Sequence, residues 1–347
     1  MYSINQFSKT ICITFFVVLT LSCTQKTPPD TNKEASKKIS VIFDTDANNE
    51  LDDQHALAYL LFNGDVFNVR GVTVNATYNG GEIDGHYAEA ERILKLSSLD
   101  GDIPLLAGAN GDFNDIKDYI SSEEYDGAEA VEFIIKEARA ATDEPLVLLP
   151  VGKLTNIALA LEKAPDIKKN IRIVWLGANY PDPGEYNLEN DIPSMNYVLE
   201  QDVPFEMVMV RYGEPSGSDA VKVTPEIIAE KMPGLGPTVA PVEGRHGNTF
   251  TNFGDYSISL FENIDLYGDP PGRALFDMVA VAILKNEAWG EQKLIPAPTM
   301  IDETWVEQPD NTREVLIWEN FNKELILKDF FDTMNSPILV QAPTSSH

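Results

Sequence analysis

The sequence predicts an open, mostly parallel central sheet flanked by helices, an α/β fold in a single domain. Three observations carry this. Short apolar runs recur without apolar/polar alternation, which marks strands covered on both faces. Helical patterns separate the runs, so strand and helix alternate along the chain. After Ile39 no internal repeat, low-complexity segment or second boundary breaks that grammar.

The strand-like runs are ISVIF (39–43), VRGVTV (69–74), PLVLLPV (145–151), IRIVWLG (171–177) and VPFEMVMV (203–210). Between them lie helical segments such as DGHYAEAERILKLSS (84–98), DGAEAVEFIIKEARA (126–140) and LTNIALALEKA (154–164). Residues 1–23 form a targeting segment: Lys9 supplies the positive region, and Ile11 to Leu21 an apolar run too short to span a bilayer comfortably. The run ends at Leu21-Ser22-Cys23, which resembles a bacterial lipobox and makes Cys23 the expected lipidation site. Residues 24–38, polar and rich in Pro and Lys, read as a flexible tether to a body at 39–347. The expected location is therefore outside the cytoplasm, on the periplasmic or cell-surface side, with membrane contact only through the anchor. Cys12 and Cys23 are the sole cysteines, so the body has no disulfide, thiolate metal site or catalytic Cys.

The formal net charge of −29 repels phosphate backbones and makes nucleic acid a poor partner. In open α/β sheets, ligands sit beyond the carboxyl ends of the strands. That rule selects Asp44 and Asp46, Asn75 and Thr77, Val151 to Lys153, Gly177 and Asn179, and Arg211. The first of these positions opens FDTDANNELDDQHAL (43–57), where Asp44, Asp46, Asp52 and Asp53 crowd together. Such oxygen ligands favour Ca²⁺ or Mg²⁺ over zinc. An EF-hand loop fits poorly, since Asn49 and His55 fall where Gly and Glu are required and a strand precedes the loop. A haloacid dehalogenase-like Asp-x-Asp also follows a strand, but Asn48 stands where Thr or Val belongs. A solvated acidic turn capping the helix from Asp52 is the plainest alternative.

DTDANNELDDQHAL resembles the opening motif of the inosine–uridine-preferring nucleoside hydrolases, with the segment between the Asp pairs two residues longer and the usual Gly missing. VGKLTNIALAL (151–161), EYN (185–187), FDMVAVAIL (276–284) and WENFNKELILKDFFDTM (318–334) resemble that family's later motifs in order. Locally, VGKLTN also reads as a strand–helix turn with Thr155 as N-cap. The resemblance covers roughly residues 39–335 and implies a nucleoside hydrolase-like fold, Ca²⁺ as cofactor and a small ribonucleoside as partner; a homo-oligomer is compatible with it.

It further implies that Asp46 is general base and calcium ligand, and that Asp53, the Val151 carbonyl and Asp277 are further ligands. Asp52, Glu185 and Asn187 would hold ribose, with Asn75 and Asn179 as weaker matches, and Asp44 would brace the loop. Several members carry His where this chain has Phe276, which cannot protonate a leaving base. His86, Arg245 and His246 are the remaining expected leaving-group contacts, the last two on a Gly-flanked loop (244–250) that would close over the site. Tyr78 is a candidate stacking residue, and Trp175, inside an apolar run, reads as core.

Overall fold

A computed structural model describes residues 37–343; the expected signal segment, Cys23 and all but the end of the tether lie outside them. Among the described residues the main sheet has eight strands. They are β1 (Ile39–Thr45), β2 (Phe67–Val74), β3 (Leu105–Ala107), β4 (Leu146–Pro150), β5 (Ile171–Ala178), β6 (Phe205–Met209), β7 (Glu291–Pro296) and β8 (Glu314–Glu319). Their spatial order is β7-β8-β6-β5-β4-β1-β2-β3. Every pairing is parallel except β7 with β8.

The chain runs outward from β1 through β2 to β3, then returns to place β4 on the other side of β1. A crevice opens where the strand order reverses in this way. It lies beyond the carboxyl ends of β1 and β4, where Asp44, Asp46, Val151 and Gly152 emerge.

The continuous apolar runs are explained by cover on both faces. Val41 and Phe43 of β1 join one buried cluster with α1 (Asp52–Leu61), α2 (Ile83–Leu96), α6 (Phe253–Glu262), α7 (Phe276–Lys285) and α8 (Lys323–Asn335). Ile42, pointing the other way, joins α3 (Ala128–Ala140), α4 (Thr155–Lys163) and α5 (Ile192–Glu200). Helix α1 is buried along its whole length, so its first-turn Asp52 and Asp53 are carried into the interior. No helix among the described residues is long and apolar enough to cross a membrane.

Three local expectations change. The 318–334 motif, the family's closing helix by resemblance, is helical only from Lys323, because Trp318 and Glu319 finish β8 and the Asn322 side chain caps the helix by accepting from Leu325 N. Thr155 is not an N-cap: Leu154 holds that position, and Thr155 Oγ1 donates to Asp191 Oδ2 instead. Strands β3, β7 and β8 extend the sheet beyond the predicted runs.

Candidate active site

Asp44 and Asp46 leave β1 on the crevice floor, both buried. Asp44 accepts from Thr73 Oγ1 (2.6 Å), Asn156 Nδ2 (2.7 Å) and Asn75 Nδ2 (3.0 Å), tying β1 to β2 and α4. Burial pushes its carboxyl up to about 7 against the pull of those donors. Asp46 accepts from Thr77 Oγ1 at 2.6 Å and lines the cavity above. Gly152 is required here by close approach: a Cβ would stand 2.8 Å from the Asn75 amide and 2.9 Å from Asp46 Oδ1.

Helices α1 and α7 bring their first turns together at the same place. Carboxylate oxygens of Asp52, Asp53 and Asp277 all lie within 4.8 Å of one another. Helix N-termini favour negative charge, yet the crowding outweighs that help. Burial first, then neighbouring carboxylates, raises Asp53 and Asp277 well above the usual range. Burial likewise lifts Asp52 to about 7 and Glu185 to about 8. Thr45 Oγ1 donates to Asp53.

A buried set of carboxylates, with oxygen donors only, fits a hard divalent cation that would neutralise it. The Oδ1 of buried Asn75 has no hydrogen-bond partner among the described residues. It faces the same floor beside Gly152 and Asp46.

The cavity of about 290 Å³ is lined by Asp46, Asp52, Asp53, Val151, Glu185, Asn187 and Asp277, which sequence reasoning had selected. Glu185 caps the short helix Tyr186–Asn190 by accepting from Leu188 N at 2.8 Å. Asn187 Nδ2 donates to the Val151 carbonyl at 2.7 Å, so the expected sugar contact and the expected metal ligand are joined. The tight carboxylate trio overlaps the expected ligand set at Asp53 and Asp277. It joins Asp52, expected on ribose, to those two expected ligands, while Asp46 accepts from Thr77.

Asn179 stands apart from the cavity lining, bracing a loop by donating to the Pro183 carbonyl and accepting from Tyr212 N. Of the expected leaving-group contacts, Phe276 alone lines the cavity, with Tyr212 edge-on at 5.9 Å. His86 is buried under the first loop, accepting from Asn48 N at 3.3 Å and contacting the Gly81 carbonyl. The 244–250 loop is the tip of a hairpin (Val242–Glu243 with Thr249–Phe250) that docks on α2, where Arg92 donates to the Glu243 carbonyl at 2.6 Å. Arg245 and His246 bond to each other there and do not line the cavity. Tyr78 is exposed and leans on Tyr186. Trp175 is core, donating to the Gly152 carbonyl at 3.0 Å.

Asn49, Glu50, Tyr212, Tyr267 and Arg273 also line the cavity, and none of them was marked as a site residue by the sequence. The strand-end rule reached Arg211 and stopped one residue short; Arg211 pairs with Glu319, while Tyr212 lines the cavity.

The pyrimidine-specific ribonucleoside hydrolase RihB of Escherichia coli and a putative counterpart in Shigella boydii are each 30% identical to this chain over 148 residues. That stretch is 41% of this chain and 43% and 55% of theirs, so the chain spans about half the length of the curated relatives it matches. Solved structures agree in fold. An inosine-guanosine nucleoside hydrolase superimposes with a TM-score of 0.67 at 18% identity, covering 87% of this chain and 100% of its own. An inosine-uridine preferring nucleoside hydrolase from Bacillus anthracis gives 0.61 at 17%, covering 86% and 99%. The family model described as inosine-uridine preferring nucleoside hydrolase matches residues 41–323, and the chain belongs to that family.

Proposed function

We propose that this chain hydrolyses the N-glycosidic bond of ribonucleosides, releasing free base and ribose. The observation that carries the reading is the buried carboxylate floor of Asp46, Asp52, Asp53 and Asp277 under a cavity of nucleoside scale, in a chain of this family. Asp53, Asp277, Asp46 and the Val151 carbonyl would hold Ca²⁺, with Asp52 close enough to share it. Bound there, such an ion would supply positive charge that lowers the pKa of a water and favours the ribose hydroxyls held by these residues.

The chain's own groups supply the remaining needs of an oxocarbenium-like transition state. Asp46 takes the proton of the attacking water, while the Thr77 hydroxyl donates to its Oδ2 and holds the carboxylate in place. Glu185, Asn187 and Asp52 receive ribose hydroxyls, and Phe276 with Tyr212 offers an aromatic surface to the base. Relatives and neighbours named as pyrimidine-specific, inosine-guanosine and purine-preferring point to purine and pyrimidine ribosides as the substrates to try.

Cleavage of another ribofuranoside, such as nicotinamide riboside, uses the same floor. A second reading, calcium-stabilised binding without turnover, is favoured by Phe276 in the place of an ionisable residue. The N-terminal Lys9, the apolar run to Leu21 and Cys23 support export and a lipid anchor. The test is release of reducing sugar from inosine, guanosine, uridine, cytidine and nicotinamide riboside, with calcium or EDTA. Calcium-dependent ribose from at least one is expected; calcium and riboside binding without any ribose would establish the second reading.

A further inference from the structure

The cavity lining carries a cation that the hydrolase reading leaves unused. Arg273 lies four residues before Asp277, on a short ladder pairing Arg273–Ala274 with Lys222–Val223, and lines the cavity. Its guanidinium pairs with Glu50, and its Nη1 donates to the Asp265 carbonyl at 3.2 Å. Its central carbon lies 5.3 Å from the ring centroid of Tyr267. Tyr267 is itself fixed, with its hydroxyl donating to Asp219 at 2.7 Å and Lys222 Nζ 3.8 Å from the ring centroid. A guanidinium has five N–H donors in a rigid fork. Glu50 and the Asp265 carbonyl take up part of that fork, and the side chain still lines the cavity with donors to spare; Nε, itself buried, has no partner among the described residues.

Glu50 comes from the lengthened first loop, so that loop brings to the cavity lining a carboxylate that pairs with Arg273. The chemistry asks for such a donor. As the C1′–N bond breaks, its electron pair goes to the base nitrogen, while water oxygen bonds to C1′ and gives its proton to Asp46. Phe276 cannot stabilise the departing anion, and Tyr267 has committed its hydroxyl to Asp219.

We propose that Arg273, oriented by Glu50, is the residue that meets the leaving base, donating N–H hydrogen bonds to the ring nitrogen or carbonyl oxygen on which negative charge develops. Arg273 does not give up a proton; the base takes its final proton from solvent water, and protonated Asp46 returns its own to the hydroxide so left, which restores the carboxylate and closes the balance. The inference rests on the hydrolase reading. It assigns Arg273 as a catalytic residue and Glu50 as a positioning residue.

The test compares nucleosides with p-nitrophenyl riboside, whose phenolate leaves without such help. Losing a preorganised donor to developing charge costs about 10²–10³-fold in kcat, so Arg273→Gln should lose that much on inosine or uridine and less than about tenfold on the p-nitrophenyl substrate. Arg273→Lys, which keeps the cation without the fork, should fall between. Glu50→Gln should show a smaller loss with the same substrate bias, partly restored in Glu50→Asp. Equal losses on both substrates, or undiminished nucleoside turnover in Arg273→Gln, would overturn the assignment while leaving the hydrolase reading intact. Wild-type protein inert on every riboside, p-nitrophenyl included, would overturn both.

Discussion

Raising the pH in the presence of a chelator should weaken this fold, and calcium should reverse the loss. Asp52 and Glu185 are raised to about 7 and about 8, and Asp53 and Asp277 also lie well above the ordinary range, chiefly through burial. In the unfolded chain such groups titrate near about pH 4. The folded state therefore holds these protons more tightly than the unfolded one. The stability this contributes is complete below the unfolded pKa and is lost as pH climbs through the folded values.

For Glu185 alone, at about 1.4 kcal/mol per pH unit, the window from about pH 5 to about pH 8 comes to about 4 kcal/mol. In a chain of this size 1 kcal/mol corresponds to about 2–4 °C, so Tm in EDTA should fall by about 10 °C across that window. A cation displaces the protons and neutralises the floor, adding about 2.7 kcal/mol at a hundred times its Kd. Thermal unfolding at both pH values, with EDTA or saturating calcium, reads the effect. The calcium-minus-EDTA difference in Tm should be several degrees larger at the higher pH. An equal difference at both, or a larger one at the lower pH, would refute the electrostatic argument.

Asp277→Asn should bind calcium at least about tenfold more weakly, judging from the loss seen when even outer partners of metal ligands are removed. The same substitution should raise Tm in EDTA at the higher pH, since it removes a repelled buried carboxylate; titration calorimetry and thermal unfolding check the two halves. Gly152→Ala forces a methyl against Asn75 and Asp46, so about 1–3 kcal/mol of overpacking is expected, with lower kcat, by denaturant titration and ribose assay. His55 is buried neutral, its ring nitrogens on the Leu51 carbonyl and Ser257 Oγ, and burial lowers it to about 4. Its folded pKa lies below the unfolded value, so about 3 kcal/mol should be lost as pH falls from about 6.5 towards 4. Urea titrations across that range should show a flatter acid limb in His55→Gln.

The strands legible in the sequence were those covered on both faces, because continuous apolarity is what two layers of helices demand. The β7 edge, EQKLIP, is mostly exposed and mixes charge with apolar residues, and β3 has three residues. Neither leaves that signature. The carboxylate floor was legible because a strand end and a helix start fix Asp46 and Asp53 from nearby sequence. His86, Arg245 and His246 were chosen by side-chain chemistry alone, and the contacts of the first loop and the hairpin keep them out of the cavity lining. The Glu50–Arg273 pair joins segments far apart in the chain, and its partner choice depends on the length of the first loop. No local pattern announces it. The lengthened NNEL segment, opaque as sequence, gains a physical role through Asn49 and Glu50 at the cavity.

Side-by-side turnover of the wild-type protein and Asp46→Asn, at saturating calcium and with calcium binding measured on both, addresses the base and the floor together. The wild type should release ribose, and the variant, still folded, should lose about 10²–10⁴-fold, the scale of a missing general base. Near-normal release by Asp46→Asn would contradict Asp46 as the base.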